Sequence, residues 1–450
     1  MKRMMALLLA GVMLLAALCT AGAETKRRME SAADADEWAA AFLGEHPETL
    51  EGVWEMTPQM EAAVAQLWGI AGLAQSLASL GAPGKISPAR EGTVQGFRTF
   101  QVPCAFALMP VDLVLSVQNG AIAGLSVGPY SGAEEETGEN APAAWDSVAL
   151  ALPVPELNGE LPGTLLIPKG EGPFPAVVLV QGSGPSDRDE TVGTLKPFRD
   201  LAEGLAARGV AVYRFDKRTY VYGAQLAADR EFTLVEESIG DAANAVQLLA
   251  GQERIDPARI WVLGHSLGGN AIPAIDQALA QKPVQARGYV MLAASPRPLE
   301  VLMREQTDFL LSLQPEITPE DQAARDALFG ELDRLADPEA LPEDELVAGA
   351  YASYWRWLAA YDPLGMAAEM TRPCLLLQGE EDYQVTLEDF GIWQAALGEK
   401  ANWRLVSCPG LTHFFTPGQK AEGAAAYARD AHVDAGVIGM IADFILDQAE

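Results

Sequence analysis

Cysteine is scarce in these 450 residues: four in all, one of them (Cys19) inside the apolar leader. The remaining three, Cys104, Cys374 and Cys408, are an odd number and do not form a disulfide framework. Cys374 falls near the start of one predicted strand and Cys408 near the end of the next, so about 17 Å of strand separates them, beyond disulfide reach. All three are therefore expected to be buried thiols. Histidine is as rare, with four positions, 46, 265, 413 and 432. No spacing of Cys, His or acidic residues matches a metal site, and neither a G-x-G-x-x-G fingerprint nor a phosphate loop is present. No metal or cofactor is expected.

Basic residues are also few. Against 62 Asp and Glu stand 31 Lys and Arg, a formal charge of −31. Such a surface repels nucleic acid and anionic lipid. The acids are scattered through helices and one linker, so they read as solubilising charge. A long apolar run occurs only at the start, where Met1-Lys-Arg-Met-Met precedes Ala6–Leu18 and then Cys19-Thr-Ala21-Gly-Ala23. A charged start, a short apolar core and a small-x-small site are the marks of a secretory signal, cleaved after Ala23, and the run is too short to span a bilayer comfortably. Cys19 admits a lipoprotein reading, but Leu18 is bulky where that processing wants a small residue. The expected location is extracytoplasmic (secreted, periplasmic or cell-surface), and removal of residues 1–23 takes the charge to about −33.

Residues 31–130 read as a small α+β module, with helices over Ala32–Leu43 and Pro58–Leu80 and core positions at Trp38, Phe42, Leu67 and Trp68. Strands over Val111–Val117 and Ala121–Val127 flank Asn119-Gly120, a strong hairpin signal. Residues 131–144 form a linker with Glu134-Glu-Glu136 and no apolar period. From Trp145 the pattern changes. Apolar runs at 176–180, 210–215, 260–263, 289–293, 374–377 and 403–406 alternate with helical stretches, which predicts a mostly parallel sheet of about eight strands with helices on both faces. Residues 298–370 break the alternation. They read as several helices carrying Tyr351, Tyr354, Trp355, Trp357 and Tyr361, a cap inserted at the carboxyl edge of the sheet.

What chemistry this second region performs is written in Arg259-Ile-Trp-Val-Leu-Gly-His-Ser-Leu-Gly-Gly-Asn270. An apolar strand, then Gly264-x-Ser266-x-Gly268, then a helix is the setting of a nucleophile elbow. The turn strains the serine backbone and brings residues 264 and 268 together, where glycine removes the colliding side chains. A serine hydroxyl needs a base, and the base needs an orienting group. His413, in the loop after the last strand, sits where the base must be. His265 should point away from the serine, His432 lies near the start of the last helix, and His46 is isolated. Asp382, third after the turning Gly379, is the expected acid, with Glu381 as the fallback. A developing oxyanion needs two preorganised N–H donors. The Leu267 N–H is one. The other comes from the loop Gln181-Gly-Ser-Gly-Pro-Ser-Asp-Arg-Asp189, with Ser183 favoured and Gly182 next. Asp187, Arg188 and Asp189 hold this loop by ion pairs or touch substrate, the structural role being favoured. Asp216-Lys-Arg218, ending a strand at the same edge, either lines the pocket mouth or pairs with Asp187 or Asp189.

Together Gln181-Gly-Ser-Gly-Pro185, Gly264-His-Ser-Leu-Gly-Gly269, Gly379-Glu-Glu-Asp382 and Thr412-His413 resemble the α/β-hydrolase superfamily, in particular its bacterial secreted serine esterases with an H-G-S-G-P-type oxyanion loop. The resemblance covers about residues 145–450. Gln181 stands where that family has histidine, which alters pocket polarity without removing a backbone donor. The front module resembles a small domain of unknown function found before such hydrolases. The resemblance implies a serine carboxylesterase acting on small or medium acyl esters through an acyl-enzyme, with Ser266, His413 and Asp382 as its triad and a small-molecule ester as its partner. The same machinery serves a serine peptidase or amidase of the oligopeptidase-like type, although the residues before the linker are too few for the propeller those enzymes carry. An extracytoplasmic location argues against an acyl-CoA thioesterase. A binding protein on a retired scaffold is the reading from a different class. No oligomeric state follows from the sequence.

Overall fold

The computed structural model describes residues 26–447, apart from positions 45, 51, 67–68, 78–82, 95–96, 107–110 and 130–143. The expected signal segment, most of the expected linker, and Leu67 and Trp68 lie outside the described residues. The chain divides into two compact units: residues 1–140 with 192–194 and 427–429, and the remainder.

In the first unit, helix Ala32–Phe42 starts in a capping box, Ser31 with Asp34, which satisfies the first free N–H groups. Its Trp38 and Phe42 rings stack 4.6 Å apart in the core. The single helix predicted over 58–80 is two, Pro58–Gln66 and Gly69–Ser76. Gly69 takes a φ of 89°, which no continuous helix accommodates. Five antiparallel strands complete the unit, with Phe97–Phe106 and Val111–Gln118 at the centre. Asn119 (φ 49°) and Gly120 (φ 80°) make the tight turn into Ala121–Pro129, the left-handed pair that a two-residue hairpin demands.

The second unit is built on eight strands: β1 Trp145–Ala149, β2 Gly163–Pro168, β3 Phe174–Val180, β4 Ala211–Phe215, β5 Ile255–His265, β6 Gly288–Leu292, β7 Cys374–Gly379 and β8 Trp403–Cys408. Their order across the sheet is β8-β7-β6-β5-β3-β4-β2-β1. From β3 to β8 every pairing is parallel, and only β2 and β1 run antiparallel to their neighbours. This is the mostly parallel sheet that the alternation predicts, in the arrangement that the motif resemblance implies. Successive side chains of a strand face opposite ways. Thus Val177, Leu179, Trp261, Leu263, Val290 and Leu375 meet the helices α1 (Pro197–Ala206) and α10 (Ala435–Asp447). The alternating set, Ala176, Val178, Ile260, Val262, Met291 and Leu376, meets α2 (Gly240–Ala250), α4 (Ile272–Leu279) and α9 (Leu387–Leu397). Each Val, Leu, Ile or Met among them, fully buried, contributes about 1.5–3 kcal/mol.

Between β5 and α4 lies the one-turn helix α3 (Leu267–Asn270). Between β6 and β7 the chain leaves the sheet for α5 (Leu299–Ser312), α6 (Pro319–Arg334), α7 (Ala352–Ala360) and α8 (Pro363–Glu369). This insertion has its own small core around Leu332, Leu341, Val347 and Trp355. Cys104, Cys374 and Cys408 are free and buried, and burial pushes the Cys408 thiol up to about 11 and that of Cys104 to about 12.

Candidate active site

At the carboxyl end of β5 the chain reverses sharply. Ser266 takes φ 52° and ψ −118°, a conformation that side-chain-bearing residues avoid. Two backbone bonds hold it: Ser266 N–H donates to the Leu292 carbonyl at 2.8 Å, and Asn270 N–H donates to the Ser266 carbonyl at 2.9 Å. The flanking glycines are required by contact. A Cβ on residue 264 would come 2.1 Å from the Gly268 carbonyl oxygen, and one on residue 268 would come 2.4 Å from that of Val180. Leu263, Gly264, His265 and Leu267 are buried, while Ser266 stays partly exposed.

Two further loops converge on this edge. Gly379 ends β7, and a Cβ there would lie 2.5 Å from the carbonyls of Leu411 and Thr412, so the loop after β8 packs directly on the end of β7. That loop closes on itself through Thr412 N–H to Thr416 O at 3.0 Å and Phe415 N–H to Thr412 O at 3.0 Å. It delivers His413, whose Nδ1 lies 2.6 Å from Asp382 Oδ2. Asp382 is itself fixed. Its Oδ1 accepts the Gln384 and Val385 N–H groups at 2.7 and 3.0 Å, and its Oδ2 accepts Gln378 Nε2 at 3.1 Å. An ionised carboxylate only accepts hydrogen bonds, so the imidazole proton sits on Nδ1 and Nε2 is left to accept. Both side chains are buried. Glu381, the fallback acid, turns elsewhere: its carboxylate accepts the Lys420 N–H at 2.9 Å. Glu380 takes the Ser407 hydroxyl at 2.8 Å.

The loop after β3 is organised by charge. Gln181 is buried, and its side-chain amide donates to the Phe215 carbonyl at 2.5 Å, tying this loop to the end of β4. Arg188 forms a forked pair with Asp216 (2.9 and 2.8 Å), and Asp189 pairs with Arg214 and, at 3.5 Å, with Lys196. Asp187 accepts Asp189 and Thr191 N–H groups and so shapes the turn. In Asp216-Lys-Arg218, Arg218 binds Asp241 and Glu156, and Lys217 binds Glu237. The charges of that tripeptide thus form internal ion pairs, Lys217 and Arg218 with Glu237, Asp241 and Glu156 rather than with Asp187 or Asp189, and Asp216 with Arg188. Gly182 lies against the elbow, since a Cβ on it would stand 3.1 Å from Ser266 Cβ. Its N–H is already engaged, donating to Glu190 Oε1 at 2.7 Å. Ser183 is exposed. Among the described residues its N–H, like that of Leu267, meets no acceptor.

His265 and Glu190 escape a reading by motif. His265 does turn away from the hydroxyl, but not into a passive core. Its Nδ1 lies 3.0 Å from Glu190 Oε1 and its Nε2 lies 3.0 Å from the His413 carbonyl, with the two imidazoles 4.6 Å apart between centroids. Burial opposes a charge on His265, but the charge and hydrogen bond of Glu190, the His413 carbonyl and Asp382 outweigh it and hold its pKa above the usual value. One buried carboxylate therefore grips both the Gly182 N–H and the histidine that supports the His413 backbone. Glu190 keeps this place with a φ of 53°. A positive φ cannot be foreseen for a glutamate, and the 75-residue gap to His265 carries no local signal. His432 pairs with Asp200 at 3.1 Å and His46 with Glu48 at 3.0 Å, both on the surface.

Comparison with known proteins follows the same sheet. Over 290 residues the chain is 41% identical to an esterase, EstD, of Thermotoga maritima, a match that takes in 64% of this chain and 66% of that protein's length. Among solved structures it is similar to Est1E from Butyrivibrio proteoclasticus, at 18% identity over 67% of this chain and 98% of that one, with a TM-score of 0.42. A puromycin hydrolase is similar at 16% identity over 81% of this chain and 48% of that one, with a TM-score of 0.45. Both structural likenesses are distant. The sequence model of the alpha/beta hydrolase family matches residues 177–426, more than half of the chain and the span from the middle of β3 through the elbow to the His413 loop, and the chain belongs to that family.

Proposed function

We propose that this protein is an extracytoplasmic serine esterase that cleaves small or medium acyl esters through an acyl-enzyme. The observation that carries the reading is the 2.6 Å contact between His413 Nδ1 and Asp382 Oδ2, on loops brought to the edge where Ser266 turns. The 41% identity to a protein named as an esterase supports the choice of ester over amide.

In this mechanism Ser266 Oγ attacks the ester carbonyl carbon and its proton passes to His413 Nε2. The carbonyl electrons move to oxygen, where the Leu267 and Ser183 N–H groups receive the anion. Ser183 is assigned this part over Gly182 because Gly182 spends its N–H on Glu190. The tetrahedral species collapses, His413 returns the proton to the leaving alkoxide, and alcohol departs. Water then repeats the sequence on the acyl-serine, with His413 taking its proton and Ser266 recovering it. Asp382 holds the imidazole in the required tautomer and balances its charge while it is protonated.

The test is hydrolysis of p-nitrophenyl esters from acetate to decanoate, beside an aminoacyl-amide panel, by wild type and Ser266→Ala, with fluorophosphonate labelling of Ser266. Turnover of short and medium esters should fall by about 10⁴-fold or more in the variant. Equal rates in the two proteins would remove Ser266 from the reaction, and amides outrunning esters would overturn the substrate class. Export is checked by the mass of protein recovered outside the cytoplasm, expected to lack residues 1–23.

A further inference from the structure

The Gly182 residue is gripped from both sides by buried charge. Its N–H donates to Glu190 at 2.7 Å, and its carbonyl accepts from Lys217 Nζ, also at 2.7 Å. Lys217 is 2% exposed and is paired with Glu237 Oε1 at 2.5 Å. The other oxygen of Glu237 accepts the Tyr354 hydroxyl at 2.7 Å. Tyr354 rides on α7, in the segment inserted between β6 and β7. A relay therefore runs from the inserted helices through Tyr354, Glu237 and Lys217 to one backbone oxygen beside the elbow. Taking a lysine and a glutamate out of water is costly, and an apolar pair of similar volume is often at least as stable. Stability alone does not account for the relay.

The geometry of the peptide does. Among the described residues the one cis bond is Gly172–Pro173, so the Gly182–Ser183 peptide is trans. In a planar trans peptide the C=O and N–H point to opposite sides. Holding the Gly182 oxygen against Lys217 fixes the direction of the Ser183 N–H. An ammonium on the carbonyl also polarises the amide and strengthens its N–H as a donor. We propose that Lys217, secured by Glu237 and Tyr354, is a positioning residue that aims and polarises the Ser183 N–H as an oxyanion donor. The inference rests on Ser266 as nucleophile and Ser183 as its second donor.

The decisive probe is an alkyl trifluoromethyl ketone. Ser266 Oγ adds to its carbonyl carbon, the proton goes to His413, and the former carbonyl oxygen becomes an anion where the donors are. Lys217→Met combined with Glu237→Gln removes both charges without leaving one unpaired. With the fold verified by circular dichroism and melting temperature, kcat on p-nitrophenyl butyrate should fall about 100-fold, with KM within threefold and the ketone inhibition constant raised in step. A rise of less than tenfold in that constant, in a folded variant, overturns the proposal. If the double variant does not fold, Tyr354→Phe decides. A rise of threefold or more supports the relay, and a smaller one overturns it. Ser266→Ala, run alongside, separates the two levels: a dead Ser266→Ala beside an unaffected Lys217 variant sinks only the relay, whereas an active Ser266→Ala sinks the nucleophile itself.

Discussion

The elbow at Ser266 and the loop at Gly182 both serve one edge of the same sheet, yet they are held by different forces. The elbow is steric. Its shape follows from two glycines whose absent side chains let carbonyls of residues 268 and 180 approach, and from backbone bonds to Leu292 and Asn270. The Gly182 loop is electrostatic. Buried or half-buried pairs, Lys217 with Glu237, Arg188 with Asp216 and Glu190 with His265, set it in place. The approach of residues 264 and 268 is local in sequence and indifferent to pH. Electrostatic construction draws on residues far along the chain and answers to protonation.

Three experiments bear on this contrast. The largest effect is expected from Gly264→Ala or Gly268→Ala. Each places a methyl within 2.4 Å of a backbone oxygen, which cannot withdraw as a flexible side chain could. About 3 kcal/mol or more of stability should be lost, with no measurable esterase activity, by denaturant melts and p-nitrophenyl butyrate assays. A variant as stable and active as wild type would show that the elbow is not sterically set. Next, Asp382→Asn should lower kcat by about 10³–10⁴-fold with KM little changed, because the amide N–H donates to Nδ1 and leaves the imidazole proton on Nε2, which then cannot accept the serine proton. Circular dichroism should show the fold intact, and a loss below tenfold would detach Asp382 from His413 function.

The smallest effect is a slope. The folded protein holds the His265 proton more tightly than the unfolded chain does, so the pair with Glu190 contributes fully below about pH 6.5 and fades as pH rises through the higher folded value. The melting temperature of wild type should therefore decline more steeply above pH 6.5 than that of His265→Gln. Parallel slopes would mean that His265 is neutral when folded and the Glu190 contact is an ordinary hydrogen bond.

The same division separates what motif reading found from what it missed. Strand–helix alternation announced the parallel sheet, because each strand buried on both faces must be a continuous apolar run. Gly-x-Ser-x-Gly announced the elbow, because a contact between residues four apart leaves its trace within five residues. Gly69 was the one helical misreading in the front unit. Composition favours a helix through it, and only the backbone reveals the left-handed break. Glu190 and Glu237 gave no signal, and Lys217 showed its edge of the sheet but not its partner, since a charged residue in a loop looks the same whether solvated or buried against a partner.

By itself, then, the amino-acid order determined the kind of sheet and the place of the sharp turn, properties that periodicity and short-range collision impose, and it narrowed the acid on the loop after β7 to Asp382 or Glu381, favouring the first. Tertiary structure alone decided which carboxylate meets which cation and which backbone N–H is left for a ligand. Those choices depend on distances between segments 20 to 117 residues apart, and on desolvation that exists only once the chain has closed around them.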